Sequence, residues 1–330
     1  MKTKLFGAVA ALLVAAAPVL AEYPEKEIAG IIQWGAGGST DTVMRAVTPH
    51  AEAVLGGKVV MQNMTGGVGA IATKFVGAQD ADGYTLLMGA ENPQLYKVMG
   101  LGDTDYADFT PINVIARGVP LLVANNDAPF NSFKEMVDYV AAHPKEVKFG
   151  STGPGGLPSV VTAMLTSEVA LDVTFVPYDG DGPALTALQG GAIDVMPAVL
   201  GAAIEGVKAG RMKVIALVDT KENAALPGVA PITAEYPGYE KFLPWGPFFG
   251  IFVKNGTPDE AVAKLQAAYA EGVKNPEFVS LIEGRGFAVL NLAGEEARAF
   301  LNKWQSVTSW LVYDAGAAKK SPEEFGIPRP

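Results

Sequence analysis

The sequence predicts an α/β fold built as two lobes, on three observations. Short apolar runs alternate with longer amphipathic stretches along most of the 330 residues, the rhythm of strands alternating with helices. Roughly 300 residues remain after an N-terminal leader, which is enough for about two domains. Glycine-rich turns stand between several strand and helix segments, at the place where open α/β sheets carry their ligand loops.

The elements follow in order. Lys2 and Lys4 precede an unbroken apolar run over residues 5–17, and small or medium residues occupy 18–21. That is the layout of a secretory leader, too short to span a bilayer, with cleavage expected after Ala21. A buried N-terminal helix would instead show polar residues at helical spacing. Residues 28–34 read as a strand, followed by a Gly-rich turn and a helix near 40–55. Strands at 58–63 and 84–89 flank a helix near 70–77. Further strands are expected at 120–125, 147–150, 173–176, 195–197, 213–218 and 248–254. Helices are expected at 132–142, with Met136, Val137 and Val140 inward, and near 159–168, 183–190 and 201–208. The C-terminal third is mostly helical. Strand and helix in alternation imply largely parallel sheets. No low-complexity linker is present, so strands are expected to cross between the lobes. The borders are placed at 22–122 plus 248–330 for lobe 1 and 123–247 for lobe 2.

Composition narrows the function. The chain has no cysteine, so neither disulfides nor a cysteine lipid anchor is available, and a chain this long does not need them to stay folded. A soluble periplasmic protein is expected. The formal charge of −10 becomes −12 when Lys2 and Lys4 leave with the leader. Such an acidic chain, without a basic cluster, is a poor partner for nucleic acid. An anion site here must be built locally, from backbone N–H groups at helix starts.

Two loops meet that requirement. The first is Gln33-Trp34-Gly35-Ala36-Gly37-Gly38-Ser39-Thr40-Asp41. Its glycines admit close backbone approach, and Ser39, Thr40 and Asp41 cap or charge the first turn of the helix. A phosphate-binding loop would need a Gly-Lys-Ser/Thr ending, which is missing; an ordinary capped turn is the other reading. The second is Gly150-Ser151-Thr152-Gly153-Pro154-Gly155-Gly156-Leu157-Pro158-Ser159, with Pro158 suited to a first turn. Facing each other, the two seats could hold both ends of a dicarboxylate. Each hydrogen bond to a charged oxygen contributes roughly 1.5–3 kcal/mol. Four or five exceed the ~8 kcal/mol of micromolar binding.

A series of short motifs carries a resemblance. They are Tyr23-Pro24-Glu25-Lys26-Glu27-Ile28; Gly37-Gly38-Ser39-Thr40-Asp41 with Arg45; the stretch 63–70; Asp82-Gly83-Tyr84-Thr85-Leu86-Leu87; Asp108-Phe109-Thr110-Pro111-Ile112; Phe149-Gly150-Ser151; Val176-Pro177-Tyr178 leading to Pro183-Ala184-Leu185; Gly191-Ala192-Ile193-Asp194-Val195; and Gly256-Thr257-Pro258. Each is weak alone, and nine in this order are specific. Over essentially its whole mature length the chain resembles the substrate-binding proteins of tripartite tricarboxylate transporters, the Bug-type proteins.

The resemblance implies a class II periplasmic-binding-protein-like fold with the ligand in an interlobe cleft that shuts by hinge closure. It implies a solute-binding protein that captures a small organic carboxylate and delivers it to the membrane permease subunits of such a transporter. A periplasmic subunit presenting the same ligand to a sensor kinase is the alternative. The ligand contacts implied are Ala36, Gly37, Gly38 and Ser39 in the first loop, Ser151 and Gly153 in the second, and Tyr178. Ala90, in the loop 90–92, should border the cleft, and Asp194 either touches ligand or braces a turn or the lobes. Trp34, the aromatic residue beside the first loop, and Asp41 complete the candidate set. Tyr96, Tyr178 and Trp245 are the other aromatic candidates, with core or hinge packing the commoner role for any one of them.

Relatives often carry a hydroxyl residue at Gly156, His at Ser159, Lys or Arg at Asp179 and a small residue at Asp181. A ligand carboxylate about 4 Å from a carboxylate side chain would cost on the order of 4 kcal/mol at an effective dielectric of 20. So Asp179 and Asp181 are expected to face solvent, the other choice being a cationic group on the ligand. No enzyme is expected: His50 and His143 lie outside both loops, and no Gly-x-Ser-x-Gly elbow, cysteine nucleophile or metal-ligand spacing occurs. The reading calls for no cofactor and no metal, and for a monomer.

Overall fold

The computed structural model describes residues 23–330; the expected leader, 1–21, lies outside the described residues. The chain opens with β1 (Ile28–Ile32), α1 (Ser39–Leu55), β2 (Val59–Asn63), α2 (Ala70–Gly77), β3 (Thr85–Ala90), α3 (Tyr96–Met99) and β4 (Phe109–Arg117). Then follow β5 (Pro120–Ala124), α4 (Phe133–Ala142), β6 (Lys148–Ser151), α5 (Leu157–Thr166), β7 (Thr174–Pro177), α6 (Asp181–Gln189), β8 (Val195–Val199), α7 (Leu200–Lys208) and β9 (Lys213–Leu217). It closes with β10 (Phe248–Lys254), α8 (Asp259–Lys274), α9 (Pro276–Gly284), β11 (Ala288–Leu292) and α10 (Gly294–Asp314).

These elements form two sheets, one per lobe. The first has the order β11-β4-β10-β3-β1-β2 and the second β7-β6-β8-β5-β9. The chain passes from the first to the second between Arg117 and Pro120, and returns between Leu217 and Phe248. All of Pro120–Ala124 pairs within the second sheet, so the first crossing precedes the border expected at 122.

The sheets are mixed, not largely parallel. β1 runs parallel to β2 and β3, and β6 parallel to β7 and β8. β10 is antiparallel to β3 and β4, β11 to β4, and β5 to β8 and β9. A parallel pair needs a crossover connection, which the helices supply within each lobe. β5 and β10 arrive from the opposite sheet instead, and they insert against the prevailing direction. Two strands had no sequence expectation. β4 carries Pro111 and Asn113, which weaken a strand pattern, and every residue of the edge strand β11 is only half-buried.

The second sheet shows why its strands are apolar at every position. Leu121 and Val123 of β5 face one apolar layer with α6 and α7, while Leu122 and Ala124 face the other. Both faces are covered, so the period-2 alternation of a half-exposed strand is lost. In α4, Met136 and Val140 are buried and Val137 is half-buried. The C-terminal helix α10, ~31 Å long at 1.5 Å per residue, packs against both β4 of the first lobe and α5 of the second. Trp245, on the returning segment, donates from Nε1 to Thr308 Oγ1 of this helix at 3.0 Å and packs on Trp304. It is buried in packing against α10.

Candidate functional site

The two lobes shut on a cavity of about 40 Å³. Trp34, Gly38, Ser39, Thr40, Ala90 and Glu91 face Thr152, Leu157, Gly180, Asp181 and Val199, with Pro247 and Phe249 from the returning segment. A water needs roughly 10–15 Å³ of such space. The cavity therefore has room for a few waters' worth of guest.

Helix starts define the walls. α1 begins at Ser39 behind Gly38, with no side-chain cap. The first amide to find a helical acceptor is that of Thr42, on Gly38 O at 3.0 Å. The amides of Ser39 and Thr40 have no protein acceptor among the described residues. α5 begins at Leu157 behind Gly156, again with no side-chain cap and with Pro158 in its first turn. Gly153 and Gly155 precede it at φ +88° and +79°, values that L side chains avoid. α6 begins at Asp181 behind Gly180, and α7 begins directly after Val199. Three uncapped helix starts thus converge on one cavity and a fourth adjoins it. Each brings orphan N–H groups and the positive end of its dipole. Sequence reasoning had found two of them. The α6 start was legible in Asp179-Gly180-Asp181, a turn dipeptide before a helical stretch.

The first loop is held open by a clamp. Asp41 accepts from Gly37 N at 3.1 Å, Arg45 Nε at 2.7 Å and Asn63 Nδ2 at 2.9 Å. Asn63 Nδ2 also donates to Trp34 O at 2.8 Å. Burial opposes ionisation of Asp41, but the bonds from Asn63, Gly37 and Arg45 outweigh it and hold its carboxyl below the usual range. Asp41 is therefore not a cavity residue: its carboxylate is spent on the loop, and it takes the Gly37 amide with it. Asp41→Ala is expected to lower unfolding free energy by about 2–4 kcal/mol, because three donors lose a charged acceptor; urea denaturation measures it.

A second network joins the lobes. Trp34 Nε1, which can only donate, meets Asn92 Oδ1 at 3.1 Å, and this fixes the Asn92 amide. Asn92 Nδ2 then reaches Gly155 O across the cleft at 3.0 Å and Glu91 Oε1 at 3.4 Å. Ser39 Oγ donates to Asp181 Oδ2 at 3.3 Å, a further bond between lobes.

Of the expected contacts, Trp34, Gly38, Ser39 and Ala90 line the cavity. Ala36 and Gly37 line a separate groove with Gly182 and Pro183. Ser151 Oγ accepts from Gly153 N at 3.2 Å and Tyr178 N donates to Ser151 O at 2.7 Å, so Ser151, Gly153 and Tyr178 brace the second loop from outside the cavity. Asp194 Oδ2 accepts from Lys148 N at 2.7 Å, a brace at the β6–β8 end of the second sheet. Tyr96 is buried, with its hydroxyl on Val68 O.

The largest departure concerns the acidic residues. Asp179 is exposed, as expected. Asp181 is half-buried, but it lines the cleft between the lobes, with its carboxyl against Ser39 and the Val199 amide. Burial raises it to about 6, against the hydrogen bonds from Ser39 and Val199. Glu91, 3% exposed, is raised to about 8, first by burial and then by the charge of Asp181. The loop 90–92 had been expected at the cleft, but Glu91 itself had not been singled out, because a polar residue after a strand usually faces water.

Comparison with known proteins gives a consistent result. A family model described as "Tripartite tricarboxylate transporter family receptor" matches residues 43–310. The BugT protein of Bordetella pertussis is 28% identical over 321 residues, covering 92% of this chain and 94% of BugT. Among solved structures, the periplasmic binding protein BugD superposes with a TM-score of 0.84 at 27% identity, covering 90% of this chain and all of BugD. MatC from Rhodopseudomonas palustris, solved with bound malate, gives 0.81 at 26% identity over 88% of this chain and all of MatC. No helix of the described residues is long and apolar enough to cross a membrane.

Proposed function

Because the chain belongs to the tripartite tricarboxylate transporter receptor family, we propose that it is a periplasmic solute-binding protein for a small organic carboxylate, which it delivers to the permease subunits of such a transporter. The observation that carries the reading is the convergence of uncapped helix starts, from both lobes, on one cavity. Amides of Ser39 and Thr40 on one side, and of α5 and α6 on the other, offer a carboxylate hydrogen bonds without any Lys or Arg. That MatC was solved with malate supports the ligand class.

The mechanism is hinge closure. A guest first meets one wall, and closure brings the second wall onto it and expels water. The closed form is then what the membrane partner reads. Residues up to Arg117 together with 248–330 form one moving body and 120–217 the core of the other, with α10 touching both. Capture is the activity that membership of a receptor family supports.

A thermal-shift screen of mono-, di- and tricarboxylates, aromatic acids and amino acids tests the reading. A true ligand at a hundred times its Kd adds roughly 2.7 kcal/mol of stability, which raises the midpoint by several degrees. No shift with any acid in the panel would remove the proposal.

A further inference from the structure

The cavity contains an arrangement that a simple dicarboxylate does not explain. Two carboxyl groups, Glu91 from the first lobe and Asp181 from the second, are turned into it. No Lys, Arg or His is among the residues lining it. Arg45, beside the first loop, is already neutralised by Asp41. Glu91 is 3% exposed, and among the described residues its carboxyl is met by its own backbone amide and the long 3.4 Å contact from Asn92 Nδ2. Asp181 has two donors, the Ser39 hydroxyl and the Val199 amide. Neither group has a cationic partner among the described residues.

A guest with two full negative charges would bring them beside two more carboxyls in a confined site, one of them buried and the other half-buried. Helix starts can hold one end of an acid, but like charges at this range repel strongly when desolvated. A protonated nitrogen next to the guest's carboxylate changes the balance. The carboxylate takes the free amides at the α1 and α5 starts, and the ammonium takes the acceptors that those helix ends cannot supply.

Resting on the carboxylate-binding reading above, we propose that Glu91 and Asp181 form a seat for a protonated amine, so that the preferred guest is an aminocarboxylate and not a plain di- or tricarboxylate. The two residues come from opposite lobes, so the ammonium group bridges the cleft as the carboxylate does. Selectivity and closure then share the same contacts. Charge, not shape, is the discriminating property: an ammonium and a hydroxyl at the same carbon differ little in size.

Matched pairs test this on the mature chain by calorimetry at neutral pH: malate against L-aspartate, glutarate against L-glutamate, and adipate against L-2-aminoadipate. At least one amine-bearing member is expected to bind ten times or more tighter than its partner. Glu91→Gln should cut that ratio at least tenfold, mainly by weakening the amine. Asp181→Asn reads the same ratio should Glu91→Gln fail to fold. Plain acids that bind as well as their amine counterparts in every pair that binds overturn the amine seat and leave the carboxylate site standing. Absence of binding by every member of all three pairs, together with no acid active in the thermal screen, overturns the carboxylate site and the amine seat with it.

Discussion

Replacing Gly182 with valine is expected to abolish ligand capture while the protein stays folded. Gly182 lies in the first turn of α6, on the second lobe, and faces the first loop of the first lobe. A Cβ there would stand 2.7 Å from Ala36 O and 3.3 Å from Gly38 N, both backbone atoms of the opposite lobe. Backbone cannot swing aside as a side-chain tip can, so the lobes must stay apart. Gly182 is not among the glycines at positive φ, but it precedes Pro183 inside α6, where a β-branched residue strains the helix start. That strain adds to the cost to closure.

An open protein presents a ligand with one wall at a time. If closure supplies two hydrogen bonds to a charged oxygen, its loss removes about 3–6 kcal/mol, or roughly a hundredfold to more than a thousandfold in affinity. Gly38→Val is the companion variant: its Cβ would meet Gly35 O at 3.3 Å and Gly182 N at 3.7 Å. Calorimetry reads the affinity, and small-angle scattering reads whether the radius of gyration still falls on adding ligand. Native affinity in Gly182→Val would show that the junction of Ala36, Gly38 and Gly182 does not come together in the bound state.

Gly182 also illustrates what the sequence made legible. Its neighbours told of a strand followed by a helix, and the elements that were expected came out within a few residues of their bounds, while β4 and β11 were not foreseen. Periodicity and glycine placement are local signals, and they report local structure well. Sheet direction is set by where the chain returns from, and nothing near β5 or β10 in sequence carries that information. The site divides the same way. Gly38 and Ser39 reach the cavity because a Gly-rich turn before a helix places them there. Asp41 looked equally suited, yet its carboxylate meets Gly37, Arg45 and Asn63. Glu91 and Asp181 became partners of one cavity only through the packing of two lobes, across 90 positions of sequence.

That packing leads to a pH dependence of unusual sign. Most proteins gain stability as their carboxylates ionise. Here Glu91 is raised from 4.5 to about 8 and Asp181 from 3.8 to about 6. In both cases burial in the shut cleft disfavours the charged form. Between the unfolded and folded values the closed protein binds more protons than the unfolded chain. The contribution is therefore fully present below about pH 4 and is lost as pH rises toward 8. Asp41 works in the opposite direction, since its depressed value loses stability as pH falls.

The groups around Glu91 compensate only in part, through its own backbone amide and the long contact from Asn92 Nδ2. Asp181 opposes its ionisation by charge, and the buried hydroxyls of Tyr96 and Tyr106 are themselves raised by it. The penalty by pH 8 is on the order of a few kcal/mol if the empty lobes stay shut. Glu91→Gln removes the titrating group, so its melting temperature should rise relative to the parent as pH goes from 5 to 8. Opening provides a second way to relieve the penalty, by returning water to both carboxyls, and scattering would then show the ligand-free protein expanding over the same interval. A difference between variant and parent that stays flat across this range, with no expansion of the parent, would mean that Glu91 is hydrated in the empty protein and that the lobes do not shut without a guest. In the other case the acidic pair holds the empty cleft ajar at neutral pH, and a guest that neutralises it closes the lobes.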